Sequence, residues 1–367
     1  MVLAVSGELG RITPSVFRHA GAFELHGGLL PDGFEMVYET YGALSPQGDN
    51  ALLICHALSG SHHAAGLDDE GKPGWWDALI GPGKAIDTDR FFVVSPNNLG
   101  SCFGSTGPGS ANPATGAPWG ADFPELSVRD WVRSQALLSE HLGIERWAGI
   151  VGGSLGGMQV MQWLIDHPQA ARMGVVIAAT LRLSAQNIAF NKIAADAIRR
   201  DLEGGEGGLA LARMLGHVSY MSADYLHQRF GREQLRHVDA GADGSRTAEA
   251  LTPEFQVNSY LDHQGQSFSK RFNPHTYLLL LNMLNRFELS PDQFDRIQAD
   301  LLVVSFSTDW RFSPERSREI ARALVAADKP VSYVEIECEK GHDSFLFAEP
   351  DYAGCVRAFL QAPRAGT

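Results

Sequence analysis

The segment Ile150-Val151-Gly152-Gly153-Ser154-Leu155-Gly156-Gly157-Met158 sets one serine among glycines, with an apolar run before it and a helical pattern after it. The pattern is G-x-S-x-G. It places Ser154 on a sharp strand-to-helix turn, in a strained backbone conformation. Gly152 and Gly156 flank it because side chains there would collide with the neighbouring strand and helix. The backbone N–H of Leu155 then opens the helix and points at a reacting oxygen, where the helix N-terminus favours a developing anion. The five-residue pattern is short, and its weight comes from context. An apolar run at 147–151 precedes it, and 158–167 continues as a helix that stops at Pro168. The alternative is a glycine-rich turn with an idle serine.

Further short apolar runs, bounded by Gly, Pro and Asp, lie at 51–56, 91–95, 301–306 and 331–336. Such runs read as buried parallel strands. Residues 34–41 alternate like a strand with one exposed face, and the first 25 residues read as irregular. Helical patterns such as 128–142 and 314–326 fall between the runs. Alternation of this kind predicts an α/β fold with a doubly wound, mostly parallel sheet. Residues 183–292 differ: they are helix-like and polar, with no clear buried strand. Gly-rich turns such as Glu203-Gly204-Gly205-Glu206-Gly207-Gly208 break them. The expected organisation is a core of 1–182 and 293–367, with 183–292 inserted as a helical cap.

With 367 residues the chain has ample length for a core. Its 44% hydrophobic and 20% charged residues match an ordinary globular protein. The net charge of −13, with no basic stretch, argues against nucleic acid and anionic membrane as partners. An anionic substrate must then be held by a few placed Arg or Lys side chains. Cys55, Cys102, Cys338 and Cys355 are scattered, with no C-x-x-C spacing, as expected for reduced thiols in a cytoplasmic enzyme. No secretion signal is evident, and no apolar stretch reaches the roughly 18 to 20 residues of a membrane helix.

A serine hydroxyl barely ionises at neutral pH, so it needs an imidazole of fixed tautomer beside it. The strand-turn-helix around Ser154 resembles that of the α/β-hydrolase fold, in which the partners follow in the order Ser, Asp, His, each just past a strand. Asp309 follows the run 301–306, and His342 follows the run 331–336 within Lys340-Gly341-His342-Asp343-Ser344-Phe345. Among thirteen histidines, His56, His62 and His63 are the rivals, but they precede the serine. His62-His63 matches no metal-site spacing, so no metal is expected. Asp300 is the alternative carboxylate, but it opens its strand rather than following it. A second oxyanion donor is expected in the loop His56-Ala57-Leu58-Ser59-Gly60, at the N–H of Leu58.

Longer motifs run through nearly the whole chain. They include Ile54-Cys55-His56-Ala57-Leu58-Ser59-Gly60, Gly74-Trp75-Trp76-Asp77, Ile80-Gly81-Pro82-Gly83-Lys84 and Asn112-Pro113-Ala114-Thr115-Gly116. Gly153-Ser154-Leu155-Gly156-Gly157-Met158-Gln159 and Phe255-Gln256-Val257-Asn258-Ser259-Tyr260-Leu261 follow. In these the chain resembles the homoserine O-acyltransferases of methionine biosynthesis. The resemblance implies ping-pong transfer of an acyl group from acyl-CoA to the serine, then to the hydroxyl of an amino acid. It implies small-molecule substrates, no cofactor beyond the acyl-CoA co-substrate, and a homodimer formed through the cap. Arg213 matches the family arginine that holds the amino acid's carboxylate, a two-point contact that suits a guanidinium. Asp343 matches the acid that receives the α-amino group. The alternatives are a surface arginine and a loop aspartate. The segment just before Arg213 is shorter than is usual in the family.

Family members use acetyl-CoA or succinyl-CoA. Those resembling acetyl users tend to carry an apolar residue two positions after the aspartate, where this chain has Arg311. A succinyl carboxylate buried in an apolar pocket would cost several kcal/mol, which an arginine would offset. Succinyl-CoA is therefore the expected donor, unless Arg311 turns outward or pairs with an acid such as Glu315. Homoserine is the expected acceptor, although some relatives acylate serine, which is one methylene shorter. An esterase with the same triad and an inactive binding protein on this fold are the remaining alternatives.

Overall fold

In the computed structural model of the chain, residues 8–202, 207–235 and 255–362 are described. The central sheet has eight strands: β1 (Ser15–His19), β2 (Phe34–Tyr41), β3 (Ala51–Cys55), β4 (Phe92–Pro96), β5 (Gly149–Gly153), β6 (Met173–Ile177), β7 (Asp300–Phe306) and β8 (Val331–Ile336). They lie side by side in the order β1-β2-β4-β3-β5-β6-β7-β8. β2 is antiparallel to both its neighbours, and every other pairing is parallel. The described helices are α1 (Val128–His141), α2 (Leu155–Asp166), α3 (Ala185–Arg200), α4 (Gly207–Tyr220), α5 (Ala223–Phe230), α6 (Gln256–Ser269), α7 (Pro274–Arg286), α8 (Pro314–Ala326) and α9 (Pro350–Gln361).

Strands β3, β5 and β6 are buried at every residue, which is why they read as continuous apolar runs. Alternate side chains supply opposite faces. Leu53 and Cys55 join one core with Trp131 of α1, Met161 of α2 and Leu324 of α8. Leu52 and Ile54 join the other with Tyr352 and Val356 of α9. Helix starts are set locally: Ser127 and Asp130 form a reciprocal capping box on α1, and the Asn273 side chain accepts from the His275 and Thr276 N–H groups to open α7.

Several expectations need correction. The N-terminal 25 residues are not wholly irregular, because β1 pairs with β2 and Phe23–Leu25 pairs with Gly28–Leu30. β2 is not half exposed: Glu35 alone among its residues is exposed. The face carrying Val37, Glu39 and Tyr41 is covered by Gly104, which lies against Val37, and by the 62–65 loop, whose Ala64 N–H donates to Tyr41 Oη at 2.8 Å. β6 was missing from the expected set. β5 runs on through Gly152 and Gly153, which pair with Val176 and Ile177 of β6, so the turn begins at Ser154 itself. Gly207 and Gly208 open α4 rather than forming a turn, and residues 203–206 of that stretch lie outside the described residues.

Within 183–292 the described residues form helices α3 to α7 and contribute no strand to the sheet. α4 packs between α3 and α6. Among the described residues no helix is long and apolar enough to cross a membrane.

Candidate active site

Ser154 links β5 to α2 with φ 56° and ψ −122°, a backbone conformation that side chains rarely adopt. Its N–H is held by the Ile177 carbonyl of β6 at 2.8 Å. The flanking glycines permit close approach. A Cβ on Gly156 would stand 2.0 Å from the Cys55 carbonyl oxygen, and one on Gly152 would stand 2.4 Å from the Gly156 backbone. α2 therefore seats its first turn directly on the end of β3. That brings Leu155 beside the 56–60 loop.

His342 Nε2 lies 2.8 Å from Ser154 Oγ, and His342 Nδ1 lies 2.7 Å from Asp309 Oδ2. The imidazole and carboxylate side chains are only 4% and 0% exposed, so water does not compete for the contact between them. Asp309 is pinned through its other oxygen, which accepts the backbone N–H groups of Arg311 at 3.0 Å and Phe312 at 2.8 Å. A carboxylate so placed can only accept, so Nδ1 carries the proton and Nε2 is free to take the serine's. Gly341, at φ 70°, places the imidazole. A Cβ there would meet the Tyr220 carbonyl and the Ser222 nitrogen at 2.6 Å, so only glycine lets the His342 loop touch the α4–α5 turn.

Ser154 and His342 open on a cavity of about 580 Å³, which Leu58 and Leu155 also line. Among the described residues neither the Leu58 nor the Leu155 N–H meets an acceptor, so both are available to a ligand oxygen. Arg213 lines the same cavity from α4. It donates to Ser59 Oγ at 3.2 Å and lies over the Phe268 ring at 4.7 Å. Its Nε is buried without a partner.

Arg311 is 8% exposed and turns inward to the cavity. It donates to Ser219 Oγ at 2.9 Å and Asn191 Oδ1 at 3.3 Å, and sits 4.9 Å from the Tyr220 ring centroid. Glu315 instead pairs with Arg318 and Arg322. Among the described residues no carboxylate lies within ion-pair distance of Arg213 or Arg311. Asp343 lines the cavity too, and burial there pushes its carboxyl above the usual range.

The rival histidines go elsewhere. His56 is buried with its ring against backbone groups of the core. His62 and His63 lie by the cavity beside buried Glu39, which hydrogen-bonds His63 Nδ1 at 3.1 Å. Asp300 opens β7, at the opposite end from Asp309. Sequence reasoning did not single out Asn191, Ser219 and Tyr220, which cradle Arg311. They come from α3 and the end of α4, and no local pattern marks their convergence.

A mostly parallel sheet with a serine, an aspartate and a histidine in contact just past the ends of β5, β7 and β8 is the arrangement of the α/β hydrolases, and a family model described as alpha/beta hydrolase fold matches residues 50–349. Curated relatives sharpen that class. The homoserine O-succinyltransferase of Stutzerimonas stutzeri is 51% identical, over 96% of this chain and 96% of the relative. Among solved structures, esterase E22 is 27% identical, with a TM-score of 0.85 over 95% of this chain and all of that one. The homoserine O-acetyltransferase of Staphylococcus aureus is 28% identical, with a TM-score of 0.77 over 97% of each chain. The chain belongs to the homoserine O-succinyltransferase family within the α/β-hydrolase fold.

Proposed function

We propose that the chain is the methionine-pathway enzyme that transfers a succinyl group from succinyl-CoA to the hydroxyl of L-homoserine, through an ester on Ser154. One observation carries the reading: Arg213 and Arg311, two of the three arginines that line the Ser154 cavity, hydrogen-bond only neutral side chains among the described residues. Two guanidinium groups so placed suit two carboxylates, one on the acyl group and one on the acceptor. Asp343, opposite in charge, suits the acceptor's ammonium group.

In the first half-reaction His342 Nε2 takes the Ser154 proton as Oγ attacks the thioester carbonyl. The negative oxygen rests on the Leu58 and Leu155 N–H groups. The intermediate collapses, the C–S bond breaks, and the thiol leaves with the proton from His342. In the second, the homoserine hydroxyl loses its proton to His342 and attacks the ester carbonyl. Ser154 departs and regains the proton, leaving O-succinyl-L-homoserine. Asp309 holds the imidazole's tautomer throughout and stabilises its charged form. The reading takes the enzyme as a cytoplasmic homodimer formed through the helical insertion. The exposed Ile193, Leu211 and Val218 of α3 and α4 support that face.

The test is a matrix of acetyl- and succinyl-CoA against serine and homoserine. The succinyl–homoserine pair should have the highest kcat/KM. Arg311→Leu should lose about 100-fold with succinyl-CoA, as expected for a buried charged hydrogen-bonding partner, and change little with acetyl-CoA. An unaltered donor preference would end the donor assignment. The likeness to esterase E22 favours a hydrolase as the second reading. Thiol release from succinyl-CoA that ignores homoserine would establish it.

A further inference from the structure

Behind the loop that carries Leu58 lies a set of polar side chains that no step above uses. His56, Asn98, Gln135 and Gln159 are each at most 1% exposed. The Asn98 backbone N–H points at His56 Nε2, at 3.0 Å. A backbone N–H can only donate, so Nε2 carries a lone pair and Nδ1 carries the ring proton. His56 Nδ1–H donates to the carbonyl oxygen of Ala57 at 2.8 Å, an oxygen that also accepts the Gly60 N–H across the turn at 3.1 Å. Burial lowers the His56 pKa to about 4, so the ring stays neutral near pH 7, as acceptance at Nε2 requires.

Gln159 ties this arrangement to the nucleophile's helix. Its Nε2 donates to the His56 carbonyl at 2.9 Å and leans on the Leu155 carbonyl at 3.4 Å. Its Oε1 accepts from Asn98 Nδ2 at 3.1 Å and Gln135 Nε2 at 2.9 Å. The next link is peptide geometry. Among the described residues no peptide bond is cis. In a trans peptide the carbonyl and the following N–H point in opposite directions. Ala57 and Leu58 both line the cavity, while the His56 ring lies on the core side of the loop. Drawing the Ala57 oxygen toward the ring therefore turns the Leu58 N–H toward the cavity.

We propose that His56 is a positioning residue for acyl transfer: by holding the Ala57 carbonyl, its Nδ1–H aims the Leu58 N–H at the oxygen that becomes negative when Ser154 is acylated. The proposal rests on the roles given above to Ser154 and Leu58. Its test compares His56→Asn, His56→Gln and His56→Leu. Asn sets an amide N–H where Nδ1 lies, whereas Gln sets its polar end where Nε2 lies. Two rates are measured: turnover of succinyl-CoA with homoserine, and labelling of Ser154 by a fluorophosphonate, whose attack also builds charge at the oxyanion site.

His56→Gln and His56→Leu should lose about 100-fold in kcat and in labelling, with both KM values within about twofold of the unmodified enzyme. His56→Asn should recover to within about tenfold. Equal losses for Asn and Gln, or full rates for Gln, overturn the proposal. Should the Leu variant not fold, the Asn–Gln comparison still decides. Labelling needs neither CoA nor homoserine, so a wrong donor or acceptor leaves this test standing. Labelling that survives Ser154→Ala sinks the site reading instead.

Discussion

Asp343 sits in the wall of a cavity where burial favours its neutral form. Its folded pKa is raised, so its contribution to stability is greatest below the ordinary carboxylate pKa and is lost as pH rises through the raised value. At neutral pH the charge is a cost, which the role proposed for Asp343 at the acceptor's ammonium group would explain. Asp343→Asn is accordingly expected to raise the thermal midpoint at pH 7 while raising KM for homoserine about tenfold or more. A lower midpoint with KM unchanged would remove Asp343 from the acceptor site. Ser154, Asp309 and His342 could be picked out from the sequence because each follows a strand signal, in a set order. Arg311 was visible as a charge beside Asp309, but its neutral surroundings were not. Asn191 and Ser219 reach it from segments whose local sequence says nothing about a common neighbour. His56 was legible only as a rival base, since a ring's hydrogen-bond partners depend on backbone geometry.

At the scale of elements, the β5–Ser154–α2 turn depends on backbone meeting backbone. In Gly156→Ala the new methyl group would need the space of the Cys55 carbonyl, which belongs to a fully buried strand and cannot swing aside. The substitution should destabilise the fold by about 3 kcal/mol, at the upper end of overpacking costs. Urea unfolding followed by tryptophan fluorescence checks it, and an unshifted midpoint would contradict it. β7 and α8 were readable because a strand covered on both faces must be apolar throughout and α8 has the helical period, whereas 331–336 is not the buried strand expected: β8 lies at the sheet edge with Ser332 and Glu335 exposed and only Ile336 buried. β6 carries the same apolar signature, yet a short apolar run alone cannot be told from buried helix. β1 has one sheet neighbour, β2, and a mostly exposed surface, so its strand character comes from pairing rather than composition. β2 buries Glu39 because Tyr41 Oη donates to it at 2.6 Å, which alternation of residue types cannot reveal.

Across the whole molecule, buried neutral imidazoles link stability to acidity. Burial lowers His56 from 6.5 to about 4, and burial together with Arg213 and Arg229 lowers His217 to about 3. Below pH 6.5 the unfolded chain takes up protons that the folded chain refuses. Folding stability should therefore fall as pH drops from about 6.5 toward 4, each ring contributing about 1.4 kcal/mol per pH unit. Urea titrations at pH 7, 6 and 5 read this slope, and His217→Gln should flatten it by about one proton. An unchanged slope would mean that His217 is protonated in the folded state. A chain of net charge −13 nonetheless gathers Arg213 and Arg311 around one serine, against its own overall field. The placing of these two guanidinium groups, in a cavity that Glu39, Asp68, Asp69, Glu70 and Asp343 also line, is what the acyl-transfer account explains. Intact-mass and peptide mass spectrometry after mixing with succinyl-CoA alone tests it most directly. The account predicts one succinyl group on the peptide containing Ser154, discharged on adding homoserine with O-succinylhomoserine as product. Turnover with homoserine but no adduct on Ser154 under rapid quench, or an adduct indifferent to homoserine, would contradict it.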